Sequence, residues 1–401
     1  MDWTEKDANY IMSTYSRYPV IVTKGEGYRV WDINGKEYYD FLSGISVCNL
    51  GHCHPEVIRA VESQIYRLFH ISNLYYTLPQ IELAELLVKN SFADKVFFCN
   101  SGAEANEAAI KLARKWGKQF SPPKYKIITL EGSFHGRTFA TMTATGQKKI
   151  KLGFEPLVPG FVHVPFNDIK AIENVIDLET CAIMVEPIQG EGGVRIPSPH
   201  YLEKLRKICD DAQLLLIFDE VQTGMGRTGY LFAYEYEGVK PDILTLAKSL
   251  ANGLPIGAML AKEEIAKFFT AGSHASTFGG NPIACSAAKV VMEILTQTDL
   301  LEYTRQISNF FKEKLDELKE KYQIVKEIRL RGLMIGIELN ISATQIVKAC
   351  LEKGFLINAV QENVLRLLPP LLIDREAVEA FIETFKNILE KEDEKGFINN
   401  S

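Results

Sequence analysis

The sequence has no apolar run long enough to cross a bilayer, no surplus of positive charge, no CxxC pair and no Pro/Gly/Ser-rich linker. Each absence excludes something. A membrane-spanning helix needs about 20 consecutive apolar residues, so none is expected. A formal net charge of −6 gives no electrostatic reason for nucleic acid or an anionic membrane as partner. The seven cysteines, Cys48, Cys53, Cys99, Cys181, Cys209, Cys285 and Cys350, are odd in number and scattered. That pattern suits free thiols in a reducing compartment, mostly filling core. The opening “MDWTEKDANY” is acidic and polar, unlike a secretory signal, so a cytoplasmic protein is expected.

What remains is the composition of a soluble globular chain, 46% hydrophobic and 24% charged over 401 residues, long enough for two or three structural units. The middle alternates apolar strands with amphipathic helices: “KVFFC”, then “EANEAAIKLARKWGKQF”, “YKIITL”, “CAIMVE”, “YLEKLRKICDDA”, “LLLIF” and “DILTLA”. That alternation predicts an α/β fold with a mostly parallel central sheet. The ends read differently. “GYRVWDINGKEYYDF” predicts a hairpin turning at Asn34-Gly35. The last hundred residues predict a long helix, short strands and a closing helix. The expected division is residues 1–60 and 290–401 in a smaller α+β domain built from both termini, and residues 61–289 in a large domain.

One stretch, “LLLIFDEVQTG”, poses a physical problem. Leu214 to Phe218 read as a strand buried on both faces, yet the strand runs into Asp219 and Glu220. A carboxylate at the lip of an apolar core is costly without a partner, and no Lys or Arg lies within five residues. In “DILTLAKSLANGLP” Lys248 sits in a matching place. An amine in apolar surroundings has its charge disfavoured and becomes a usable nucleophile. The plain alternative is an Asp219–Lys248 salt bridge. In “NSGAEANEAAIKLAR” the small residues Ser101, Gly102 and Ala103 turn a strand into a helix. Such a turn can seat a phosphate, and Ser101 can equally be an N-cap with Glu104 completing a capping box. A carboxylate, an amine and a phosphate seat are the holds an enzyme needs on pyridoxal phosphate. “LEGSFHGRT” places Phe134, His135 and Arg137 in a loop after a strand, where parallel sheets bind ligands. Arg137 there is either a carboxylate clamp or a surface residue.

Two other motifs carry less. “GMGRTG” fits the dinucleotide fingerprint G-x-G-x-x-G, but five residues separate it from its strand and no helix follows; a flexible loop is expected. “GHCHP” offers His52, Cys53 and His54 as metal ligands, but no second cluster completes a shell, and Pro55 suits a helix start. No metal site is expected.

Eight segments in order, “LGHCHPEV”, “NSGAEANEAAIKLAR”, “SFHGRT”, “EPIQGEGG”, “FDEVQTGMGRTG”, “LAKSLANGLPIGA”, “STFGGNP” and “LRLLPP”, resemble those of the class III (subgroup II) aminotransferases, fold-type I enzymes that use pyridoxal phosphate. The resemblance runs from about Tyr18 to the C-terminal helix. It implies that Ser101, Gly102 and Ala103 hold the cofactor phosphate, that Phe134 and Val221 cover the two ring faces, and that Gln222 reaches the ring hydroxyl. It implies that Asp219 pairs with the pyridine nitrogen and that Lys248 bonds covalently to the cofactor. Thr277 would reach the phosphate of a partner subunit, making the active unit a homodimer. Arg137 is similar to the family's carboxylate-binding arginine, and Glu191 and Arg366 match a gated ion pair. The expected reaction is ping-pong transfer of an ω-amine to 2-oxoglutarate.

The donor is read from one segment. Ile45, in “FLSGISVCNLGHCHP”, stands where the ornithine-specific relatives carry a tyrosine. An apolar wall there suits an acylated α-amine and disfavours ornithine, though relatives acting on 4-aminobutyrate also carry an aliphatic residue there. The compact length and “GISV”, close to the “GIAV” of N-acetylornithine-specific relatives, make N-acetylornithine the expected donor, with succinylornithine, ornithine and 4-aminobutyrate as alternatives. Aminomutase chemistry and a non-catalytic role for the fold are the remaining rivals. The resemblance departs at Ala251 and Asn252, where many relatives carry glycines.

Overall fold

A computed structural model describes residues 3–399. Fifteen strands occur among them: β1 Val22–Glu26, β2 Arg29–Asp32, β3 Glu37–Asp40, β4 Lys95–Cys99, β5 Lys126–Leu130, β6 Phe161–Val164, β7 Thr180–Val185, β8 Leu215–Asp219, β9 Ile243–Leu246, β10 Gly257–Ala261, β11 Val325–Arg331, β12 Met334–Leu339, β13 Phe355–Leu356, β14 Asn358–Val360 and β15 Val364–Leu367. The central sheet has the order β4-β10-β9-β8-β7-β5-β6. Pairings from β9 through β8, β7 and β5 to β6 are parallel, and β10 alone runs antiparallel to both neighbours. Every residue of β7, β8, β9 and β10 is buried, which is why these strands read as unbroken apolar runs.

The helix Gly102–Gly117 covers one face with small side chains, Ala105, Ala108, Ala109 and Ala113 among them, all buried. The helix Tyr201–Ala212 packs on β7 and β8 through Leu202, Leu205 and Cys209. The parallel strands therefore end together at one edge, and the antiparallel β10 begins there.

The termini build the rest. β2 and β3 form the expected hairpin around Asn34-Gly35, where Gly35 takes φ 79, and β1 adds a third strand. β13 pairs in parallel with β3 and so joins the two ends of the chain. β11, β12, β15 and β14 form a further sheet, and the long helix Leu300–Lys321 and the closing helix Arg375–Asn399 pack together. Phe41, Phe311, Phe355 and Phe381 lock this part, with Phe41 and Phe381 stacked at 5.0 Å. The boundaries drawn at 60/61 and 289/290 pass through the helices Pro55–Ile65 and Pro282–Gln297, which pack against each other.

The “GMGRTG” loop differs from its expectation. Gly224 to Gly229 are buried rather than flexible at the surface. Arg227, fully buried, donates to Ser46 Oγ (2.9 Å), Ser43 Oγ (3.3 Å), Asn49 Oδ1 (2.5 Å) and the carbonyls of Leu333 (2.9 Å) and Pro369 (2.6 Å). Five acceptors around one guanidinium tie the N-terminal segment, this loop and the C-terminal part together. No helix among the described residues is long and apolar enough to cross a membrane.

Candidate active site

The carboxyl edge of the central sheet opens into a cavity of about 400 Å³, a size suited to a small cofactor and substrate. After β4, Ser101 caps the helix Gly102–Gly117 by accepting from Glu104 N at 3.2 Å. Glu104 Oε2 accepts from Asn100 N at 2.5 Å, one residue outside the reciprocal bond of a capping box. Ser101, Gly102 and Ala103 all line the cavity, so the unpaired N–H groups of the first turn and the positive end of the helix lie at its wall. A Cβ on Gly102 would stand 2.7 Å from Val221 Cγ1, so only glycine lets that turn approach Val221 this closely.

The unpaired carboxylate of the sequence now has partners. Asp219, 3% exposed, accepts at Oδ2 from His135 Nδ1 (2.8 Å) and Asn106 Nδ2 (2.7 Å), and at Oδ1 from Val221 N (3.1 Å). The alternative ion pair to Lys248 is not formed among the described residues. Lys248 follows β9, adjacent and parallel to β8, in the left-handed region at φ 46. Desolvation lowers its amine to about 8, with Glu191 and Asp219 opposing and Arg366 adding to the shift. Both residues line the cavity, as do Phe134, His135, Arg137, Val221 and Gln222. Arg137 is exposed at the rim, its guanidinium 5.7 Å from the Phe134 ring.

The Glu191–Arg366 pair is present at 2.5 Å. Arg366 is fully buried on β15, with Nε donating to Asn358 Oδ1 (3.2 Å), Nη1 also to Gln222 Oε1 (3.3 Å), and Nη2 without a partner among the described residues. Burial would raise the Glu191 carboxyl, but Arg366 outweighs it and holds it below the usual range. Gln222 is pressed against Gly190, where a Cβ would stand 2.3 Å from Oε1. Ile45, at φ 65, packs with Ile188, Val194, Met334 and Leu368; Val47 of the same segment lines the cavity. Thr277 is exposed and away from this cavity, beside Asn73, whose amide donates to Ser276 O (3.0 Å) and Gly279 O (2.8 Å).

Asn252, one of the two departures, takes the left-handed conformation at φ 46, which asparagine tolerates almost as glycine does. Its amide accepts from Leu50 N and donates to Gly51 O, each at 2.9 Å, while Ala251 is core.

Two site residues, Glu186 and Asn106, escape the sequence reading, and for a third, His135, the sequence gives the loop but not the partner. Glu186 ends the strand “CAIMV” as Asp219 ends its own, so the same signal was available. It accepts from Phe134 N (2.9 Å) and Gly190 N (3.0 Å), and burial pushes its carboxyl up to about 7. Asn106 lies on the alanine face of its helix, a polar residue among Ala105, Ala108 and Ala109. In “GHCHP”, His52 Nε2 bonds Asp40 Oδ2 at 2.7 Å, and Pro55 opens a helix.

An enclosed amine, a buried carboxylate held by His135, Asn106 and a backbone N–H, and a helix start at the cavity wall match the aldehyde, the pyridine nitrogen and the phosphate of pyridoxal phosphate. Residues 10–389 match the family model “Aminotransferase class-III”. The chain belongs to that family and is a pyridoxal-phosphate-dependent aminotransferase. It is 52% identical over 385 residues to an acetylornithine aminotransferase of Caldanaerobacter subterraneus subsp. tengcongensis, covering 96% of this chain and 98% of that one. Among solved structures, an ornithine aminotransferase from Toxoplasma gondii, described with partial occupancy of PLP at its active site, superposes with a TM-score of 0.93 at 37% identity, covering 97% of this chain and 94% of the other. An acetylornithine aminotransferase from Elizabethkingia anophelis superposes with a TM-score of 0.86 at 34% identity, covering 97% and 98%.

Proposed function

We propose that the enzyme moves the ω-amine of N-acetylornithine to 2-oxoglutarate, giving N-acetylglutamate 5-semialdehyde and glutamate, a step of arginine biosynthesis. The observation that carries this reading is Arg366. It is a buried cation beside the cavity, neutralised on one side by Glu191 and, among the described residues, unpartnered at Nη2. A donor with one carboxylate needs only the cation at the rim, Arg137. A dicarboxylate acceptor needs a second one, and withdrawal of Glu191 would free it. The name borne by the relative at 52% identity supports the same donor, as does the apolar Val47 at the cavity wall. The Toxoplasma gondii structure keeps ornithine as the second reading.

In this proposal Ser101, Gly102 and Ala103 seat the phosphate, Phe134 and Val221 cover the ring faces, Gln222 meets the ring hydroxyl, and Asp219 holds the pyridine nitrogen. When bound, pyridoxal phosphate supplies an electron-poor ring that makes the proton on the amine-bearing carbon removable. Lys248 Nζ, with its lowered pKa, takes and returns that proton. Asp219 and Arg366 are both buried, which strengthens the electrostatic interactions each makes.

A homodimer is part of the proposal. Tyr66, Leu74, Tyr75, Tyr76, Leu78 and Phe278 are exposed, and their two segments are tied by Asn73 and by Asn281 Nδ2 donating to Phe69 O (2.9 Å). An apolar face of this kind suits a second copy, to which Thr277 would be presented. We also place the protein in a reducing, cytoplasmic setting, supported by seven cysteines that are all free thiols. Residues 61–289 are taken as the cofactor-holding unit. The test is single-turnover decay of the bound cofactor's absorbance with N-acetylornithine, ornithine, succinylornithine and 4-aminobutyrate in turn. N-acetylornithine should be fastest and 2-oxoglutarate should restore the band; a faster rival would overturn the donor assignment.

A further inference from the structure

Asn106 has a place in the site that neither the cofactor nor the substrate assignment uses. It is 1% exposed, the fifth residue of the helix Gly102–Gly117, and both of its amide protons and its amide oxygen are engaged. Nδ2 donates to Asp219 Oδ2 and to His135 O, each at 2.7 Å, and Oδ1 accepts from Thr245 Oγ1 at 2.6 Å. The orientation of the amide is dictated by chemistry: a carboxylate and a carbonyl can only accept, so the nitrogen must face them. Thr245, fully buried, completes the arrangement from the third side.

These three partners belong to three elements. Asp219 ends β8. His135 follows Phe134 in the loop after β5. Thr245 lies on β9, paired in register with Asp219 and three residues before Lys248. One helix side chain therefore spans the elements that carry the carboxylate, the aromatic face and the lysine. We propose that Asn106 is a positioning residue of the transamination site, holding the Asp219 carboxylate, the Phe134–Arg137 loop and the lysine-bearing strand in one geometry through a single amide.

Asp219 and His135 touch this amide directly, and Lys248, Glu186 and Glu191 line the same cavity. Removing the amide leaves a buried carboxylate short of one donor and two neutral acceptor or donor groups unpaired, and hydrogen bonds to charged groups are the strong ones. The inference rests on Asp219 and Lys248 being holds on the cofactor, as proposed above.

The holoenzyme is compared with Asn106→Ala, Thr245→Val and Asp219→Ala. The readouts are the pH midpoint of the bound cofactor's absorbance change, the cofactor dissociation constant, kcat and KM for the amine donor, and the thermal midpoint. Asn106→Ala should move the pH midpoint by about half a unit or more and weaken cofactor binding about tenfold. It should lower kcat by about ten- to hundredfold with KM changed less than about threefold. Thr245→Val, which removes only the hydroxyl that orients the amide, should shift the same readouts in the same direction and less. If both variants lower the thermal midpoint but keep the native pH midpoint and cofactor affinity, the role is structural and the proposal is overturned. If Asn106→Ala does not fold, Thr245→Val decides by the same criterion. Asp219→Ala separates the two layers: native cofactor affinity in that variant would refute the site assignment itself, whereas its loss alongside native behaviour in Asn106→Ala would refute the positioning role alone.

Discussion

Replacing Glu191 by Gln isolates the charge that masks Arg366. The amide oxygen of Gln can still accept from Nη1, so shape and hydrogen bond are kept while the negative charge goes. With charge centres about 4 Å apart and an effective dielectric near 20, the lost attraction is about 4 kcal/mol. Glu191 is 30% exposed and Arg366 fully buried, so solvent screens one side of the pair and about half of that value, roughly 2 kcal/mol, is the better figure. A second ligand carboxylate would then meet an unmasked guanidinium and gain up to about thirtyfold in affinity. Glutarate and butyrate are suitable probes: they differ by one carboxylate and carry no amine or oxo group. Spectral titration of the holoenzyme should show glutarate tightening about ten- to thirtyfold in Glu191→Gln while butyrate moves less than about threefold. A thermal midpoint below native is expected as well, because the variant buries an uncompensated cation. If the glutarate-to-butyrate ratio stays within about threefold of native, Glu191 does not mask Arg366 and the account of alternating substrates fails.

Other predictions follow from single contacts. Lys248→Ala should lower kcat by at least about a hundredfold and abolish borohydride trapping of the cofactor on the chain; trapping on another residue would refute the assignment of the nucleophile. Arg227→Met takes the guanidinium donors away from buried acceptors at Ser46, Asn49, Leu333 and Pro369 and should destabilise the protein by about 3 kcal/mol or more; an unchanged urea midpoint would show that these contacts contribute little. Glu186 is raised from its ordinary 4.5 to about 7 by burial. Between those values the folded protein holds a proton that the unfolded chain has lost, so this group's contribution to stability declines as pH rises through the window. Denaturation of the apoprotein at pH 5 and pH 8 should therefore show Glu186→Gln gaining on the native protein at the higher pH, and a constant difference would exclude an ionising Glu186.

Much of this architecture was legible without coordinates. The strands “CAIMV”, “LLLIF” and “ILTL” announced a parallel sheet because both of their faces are buried, which removes every polar residue from the run. The same logic exposed Asp219, since a charge at the end of such a run needs a reason. Glu186, at the end of “CAIMVE”, obeys the same rule and carries the same signal. The loop around Arg227 is not legible in the same way: glycines at Gly224, Gly226 and Gly229 look like flexibility, and nothing local shows that five acceptors from distant segments close around the arginine.

The sequence by itself determined the order of strands and helices, the chemistry at their ends and the family, because these depend on periodicity, burial and residue type at positions close along the chain. Only the tertiary structure decided who meets whom. Asp219 lies 84 residues from His135 and 113 from Asn106, and Glu191 lies 175 from Arg366. Such pairings are set by how sheets stack and strands cross over, and the energy that selects them comes from burying whole faces rather than from the few residues that do the chemistry.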